Sequence, residues 1–204
     1  MMVEGRSERK AMVYDISQEV LSCKVYPGDP VPAIKEESRM LEGALYNMTS
    51  FSMCAHNGTH VDAPFHFINE GKTVEQIEVE SFVGDCYVVR HDGGVSAKDA
   101  QDILEKAKKV GAGERILIAG KAVVTAEAAQ EFAKANIKLI GNESQTVGPE
   151  NAPMEVHKIL LGAEVVLLEG IVLTDVPEGK YLLCAAPLNL AGCDGAPCRA
   201  VLIG

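Results

Sequence analysis

Ser96-Ala97-Lys98-Asp99 opens the stretch that decides the fold class, and that stretch runs on to Leu168. A serine with an acid three residues later is a helix-start signature. Behind it Ala100, Ile103, Leu104 and Ala107 recur at helical spacing, which predicts a helix through Lys109. Arg115 to Ala119 is a short apolar run and reads as a strand. Thr125 caps a second helix, Ala126 to Ala135. Lys138 to Gly141 reads as a short strand, Met154 to Leu161 as a short helix, and Glu164 to Leu168 as a buried strand. Further strands are expected at Leu45 to Ser52, Cys86 to Arg90, Tyr181 to Ala185 and Arg199 to Ile203, with a turn at Pro27-Gly28-Asp29-Pro30. Early β structure followed by β–α alternation implies a mixed α/β fold, with more than one sheet and flanking helices. No repeat or linker divides the chain. Residues 13–204 are therefore expected to form one domain, and the charged stretch 1–12 a frayed tail.

The 204 residues carry 19 Lys plus Arg and 29 Asp plus Glu, a net charge of −10. No basic face for phosphate follows from that balance, so a nucleic-acid partner is not expected. Runs such as Val165–Leu168 are far shorter than the ~20 apolar residues of a membrane helix. The N-terminus lacks the apolar core of a signal peptide, and a cytoplasmic location is expected. Six cysteines form no Cys-x-x-Cys pair and read as reduced, partly buried small hydrophobes.

The chemistry gathers in Ala55-His56-Asn57-Gly58-Thr59-His60-Val61-Asp62-Ala63-Pro64-Phe65-His66-Phe67, which holds three of the five histidines. Imidazole and carboxylate are ligands for zinc or a similar divalent ion. His56, His60, Asp62 and His66 share parity, so an extended chain would turn them to one face. A straight strand would hold His56 and His60 ~13 Å apart, against metal–nitrogen bonds of ~2.0–2.1 Å. The chain must therefore bend, and Asn57-Gly58 is the natural place. Pro64 bends or ends the segment again. A helix is disfavoured by Gly58, β-branched Thr59 and Val61, and Pro64.

This segment resembles the His-x-Gly-Thr-His-x-Asp-x-Pro-x-His signature of the cyclase family, which includes bacterial kynurenine formamidases (arylformamidases) and isatin hydrolases. Every fixed position is present: His56, Gly58, Thr59, His60, Asp62, Pro64 and His66. Tyr26-Pro27-Gly28-Asp29-Pro30, Gly141 to Pro149, His157, Glu169-Gly170 and Gly192 to Val201 resemble further family segments. Three departures stand out: Tyr26 where the formamidases usually have Trp, Glu143 for an Asp, and Gly148 for an Asp.

The resemblance implies a swivelling β/β/α architecture and a metal-dependent hydrolase of small amides. N-formylkynurenine, an intermediate of tryptophan catabolism, is the leading substrate. It implies one or two divalent metals per subunit, zinc or manganese. His56, His60 and Asp62 would hold one metal, and Asp62, His157 and Glu169 a second, with Asp62 bridging. His66 would be the general acid/base. Tyr26 and Phe65 are offered as pocket residues, with Phe67 a further candidate for the aromatic wall. Asp194 and Arg199 in the C-terminal signature are candidates for catalytic groups, with a structural ion pair or turn residues the favoured reading. A homo-oligomer, dimer or tetramer, is implied, with the Tyr26 turn as the loop completing a neighbour's pocket. A hydrolase or cyclase of a cyclic amide or lactone is the alternative activity, and a silent metal-binding relative the non-enzymatic one.

Overall fold

A computed structural model describes residues 11–204; the expected tail lies, up to residue 10, outside the described residues. In chain order the strands are β1 (Val13–Asp15), β2 (Ala33–Ser38), β3 (Met48–Ser52), β4 (His60–Asp62), β5 (Val83–Arg90), β6 (Gly93–Val95), β7 (Arg115–Ala119), β8 (Ala122–Val124), β9 (Leu139–Asn142), β10 (Val166–Glu169), β11 (Gly179–Cys184), β12 (Gly195–Pro197) and β13 (Val201–Ile203). The helices are α1 (Ala97–Lys109), α2 (Ala126–Lys134) and α3 (Met154–Gly162).

Nine strands form one mixed sheet in the order β1-β13-β11-β5-β7-β9-β10-β4-β12. Its centre, β5-β7-β9-β10, is parallel, and both flanks are antiparallel. The pairs β2–β3 and β6–β8 make two small sheets, so the mixed α/β class with more than one sheet is present.

Local chemistry explains the elements. Ser96 caps α1 through a reciprocal box with Asp99, and Ala100, Ile103, Leu104 and Ala107 are its buried face. All five residues of β7 are buried, as a central parallel strand covered on both sides requires. Period-two alternation divides them: Ile116 and Ile118 pack with the helices, whereas Leu117 and Ala119 join the second core. That second core includes Val61 of β4, Ala196 of β12 and Leu202 of β13, so the flanking strands curl over the face opposite the helices.

Two departures from the family pattern have local explanations. Glu143 ties two loops together, accepting from Gly120 N at 2.6 Å and Leu173 N at 2.8 Å. At Gly148 a Cβ would lie 3.0 Å from Val156 Cβ on α3, so glycine lets that loop close on the helix.

Gly170 ends β10 with φ +66, and a Cβ there would lie 2.4 Å from the Gly58 carbonyl oxygen. That carbonyl also accepts from His60 Nδ1 at 2.9 Å. Gly170→Ala is expected to cost about 2–4 kcal/mol, from left-handed backbone strain plus overpacking. Urea unfolding checks it; a variant as stable as the parent would contradict the close approach.

Candidate active site and metal centre

The site forms where the β10–β4–β12 end of the sheet meets α3. β4 pairs antiparallel with both neighbours and sets Glu169 opposite His60 and Gly195 opposite Asp62. Opposed residues share a face, so His60, Asp62 and Glu169 point to one side. Leu167, opposite Asp62, packs in the same core as Val156 and Leu160 of α3, which makes this the helix-facing side. α3 brings His157 down onto it from its buried face. Gly58, at φ +67, supplies the bend expected between His56 and His60. Pro64 ends the strand and opens a single 3-10 turn, Pro64–His66, that carries His66 back toward the cluster.

Five predicted ligands converge. His60 Nε2 lies 3.3 Å from Asp62 Oδ1 and 3.6 Å from Glu169 Oε2. His157 Nε2 lies 3.5 Å from Asp62 Oδ2 and 3.2 Å from Glu169 Oε1. Each carboxylate thus offers one oxygen to each imidazole. His56 Nδ1 lies 2.7 Å from Asp62 Oδ1. The His56 and His66 rings stack with centroids 3.9 Å apart.

The electrostatics share one cause. Burial opposes charge on His56, yet the carboxylates of Asp194 and Asp62 raise its pKa to about 11. Burial opposes charge on His157 as well, and Asp62 and Glu169 raise it to about 10. His60 is raised against the same burial by Asp62 and Glu169. Burial pushes Asp62 up, but His157, His56 and His60 together bring it well below the usual carboxylate range. The buried carboxylates demand positive charge among them, which a divalent cation can supply in place of protons.

The donor set fits such an ion. His60 Nε2 and Asp62 Oδ2 are buried without a hydrogen-bond partner, a condition that costs roughly 1–3 kcal/mol per group. His60 Nδ1 is engaged by the Gly58 carbonyl and His157 Nδ1 by the Pro153 carbonyl, each at 2.9 Å. A donated Nδ1–H leaves the Nε2 lone pair for a cation.

A cavity of about 250 Å³ opens onto the cluster. Tyr26, Phe67 and Thr146 line it beside the histidines, but Phe65 does not. In place of a strand the chain takes a 3-10 turn here, and Phe65 is left 37% exposed. Phe67 instead packs against His66 and His157, at 4.6 and 4.7 Å between centroids. Tyr26 lies in its own chain's pocket, its hydroxyl donating to the Glu150 carbonyl at 2.8 Å.

One reading needs correcting. Arg199 does form a surface ion pair, with Asp15, but Asp194 is no structural partner of it. Asp194 Oδ2 lies 2.8 Å from His56 Nε2 and 3.0 Å from His66 Nδ1, inside the site. The His56 hydrogen bond, foremost, holds its carboxyl well below the usual range. Its position beside Gly195 in the C-terminal signature was the available signal.

A curled mixed sheet with a His/carboxylate cluster at the floor of a small-molecule cavity defines a hydrolase-type site. The chain matches the family model described as "Putative cyclase" over residues 14–149. It is 33% identical to a kynurenine formamidase of Erythrobacter litoralis, across 98% of this chain and 97% of the relative. It is 31% identical to a kynurenine formamidase of Sphingopyxis alaskensis, across 93% and 97%. Its fold superposes with a TM-score of 0.80 on a solved structure described as a potential metal-dependent hydrolase with cyclase activity, 28% identical, covering 95% of this chain and 98% of that one. Isatin hydrolase A from Labrenzia aggregata gives a TM-score of 0.80 at 22% identity, covering 95% and 93%, a likeness of fold. The chain belongs to the Cyclase family. It is an enzyme, a hydrolase.

Proposed function

We propose that the protein is a metal-dependent arylformamidase that hydrolyses N-formylkynurenine. The carrying observation is the pair of buried, unpartnered atoms, His60 Nε2 and Asp62 Oδ2, in a cluster that opens onto the cavity. The near full-length similarity to kynurenine formamidases supports the substrate. His56, His60 and Asp62 would hold one divalent ion, and Asp62, His157 and Glu169 a second. Glu169 offers its other oxygen to the His60 side as well. Zinc or manganese suits these ligands. When bound, the metal acidifies water and stabilises negative charge on the carbonyl oxygen.

The chain's own residues do the rest. His66 Nε2 takes a proton from the attacking water as its oxygen bonds to the formyl carbon. It returns that proton to the amine nitrogen as the C–N bond breaks, releasing formate and the free arylamine. An imidazole nitrogen suits both steps because it can accept a proton through its lone pair and donate it again. Tyr26 and Phe67 offer aromatic surface to an aryl substrate. Thr146 Oγ1, buried without a partner at the cavity wall, can donate to a substrate oxygen.

We read residues 13–204 as one domain and the enzyme as a homo-oligomer. Leu41 and Leu45, in the link between β2 and β3, are 92% and 93% exposed, and a second copy would shield this apolar surface. Among the described residues no helix is long and apolar enough to cross a membrane.

Hydrolysis of N-formylkynurenine by purified protein, metal-free and then with zinc or manganese, tests the assignment. Metal-dependent release of formate is expected. Hydrolysis confined to isatin-like rings or lactones would replace the substrate while keeping the site. No turnover of any of these with metal bound would overturn the assignment of the substrate class.

A further inference from the structure

Asp194 sits on the turn entering β12, where its carbonyl accepts from Ala63 N at 2.9 Å. That bond, with the β4–β12 pairing, sets its side chain beside the two stacked imidazoles. The next residue makes room for them. A Cβ on Gly195 would lie 2.6 Å from His56 Cε1, so His56 rests against a bare α-carbon. Oδ2 of Asp194 then meets both His56 Nε2 and His66 Nδ1. A carboxylate oxygen accepts two N–H bonds with its two lone pairs, and it can only accept.

We propose that Asp194 is a positioning residue that serves the metal ligand and the acid/base together. By accepting from His56 Nε2–H it leaves His56 Nδ1 to face the metal beside Asp62 Oδ1. By accepting from His66 Nδ1–H it leaves His66 Nε2 unprotonated toward the cavity. Carboxylates behind metal-ligating histidines fix tautomer and ring orientation in this way. A carboxylate behind a catalytic histidine does the same, and its loss produces the wrong tautomer. Here one oxygen performs both tasks, because the rings stack and turn a nitrogen each to the same point. The proposal rests on His56 as ligand and His66 as acid/base.

The test compares the parent enzyme with Asp194→Ala, His66→Ala and the double variant. Titration of the metal-stripped proteins with zinc alone gives affinity. Kinetics on N-formylkynurenine at saturating zinc give kcat and KM. Asp194→Ala is expected to weaken zinc binding by about 10–100-fold and to lower kcat by a similar factor, with KM little changed. The double variant should turn over no more slowly than His66→Ala, since Asp194 acts on turnover through His66. Asp194→Asn keeps the shape of the side chain. If the alanine variant does not fold, zinc affinity and kcat of the asparagine variant are expected to fall in the same direction. Unchanged zinc affinity, or losses that simply add in the double variant, would overturn the proposal. Should the parent prove inactive on the formamide, the substrate reading fails separately, and the zinc titration alone decides whether Asp194 holds His56.

Discussion

Asp62→Ala is expected to lose both metal and turnover. The side chain is 1% exposed, and its two oxygens reach His56, His60 and His157 at 2.7, 3.3 and 3.5 Å. Among the described residues no other carboxylate pairs with all three. Removing it leaves three imidazoles facing one another with Glu169 as the remaining buried carboxylate. The Lewis-acid contribution of a catalytic metal is several kcal/mol, and each 1.36 kcal/mol is tenfold in rate, so kcat/KM should fall by about a thousandfold or more. Metal content after dialysis and formamide hydrolysis with added zinc give the two readouts. The parent's melting temperature should rise with zinc and the variant's should not, because only a folded site that binds the ion gains from it. A variant that keeps its metal would remove Asp62 from the ligand set.

His66→Ala is expected to separate the two functions. His66 stands beside the cluster on the 3-10 turn after β4, stacked on His56 and bonded to Asp194, and it lines the cavity. Its nearest charged partner is Asp194, outside the His60–Asp62–Glu169–His157 arrangement. Losing a positioned general acid/base lowers turnover by about 10²–10⁴-fold, while metal content should match the parent's. Full turnover in a zinc-replete variant would refute the role given to His66. Loss of metal instead would make it a ligand.

The elements legible in the sequence were those whose signals are local. α1 begins after the expected cap and buries the four expected residues, because the Ser96–Asp99 box and the 3.6-residue period both act within a few turns. β7 matches its apolar run. Of the six three-residue strands only β13 falls within an expected run, Arg199 to Ile203; β1, β4, β6, β8 and β12 carry too little pattern to show a period, and pairing to distant neighbours makes them strands. β2 was silent for a different reason: its residues are largely exposed, so no apolar alternation marks it.

The site divides along the same line. The residue types and the two bends of the His56–His66 segment were readable, because steric rules for Gly58 and Pro64 operate within the backbone itself. Past Pro64 a three-residue turn replaces the two-residue repeat, and it brings Phe67, rather than Phe65, to the cavity. Asp194 lies 138 positions from His56 and 128 from His66. No rule of spacing connects residues so far apart; a strand pairing and a glycine that yields space connect them.

By itself, then, the amino-acid sequence determined which groups can bind a cation, where the chain must bend between them, and which segments are helix or central strand. Each of those follows from interactions spanning a few residues. The family resemblance already implied that His157 and Glu169 join Asp62; tertiary structure alone decided that Asp194 meets the His56–His66 segment, that Glu169 faces both His60 and His157, and which aromatic ring walls the cavity. Those depend on sheet register and on burying β4 between β10 and β12, where contacts distant in sequence become neighbours once the apolar faces leave water.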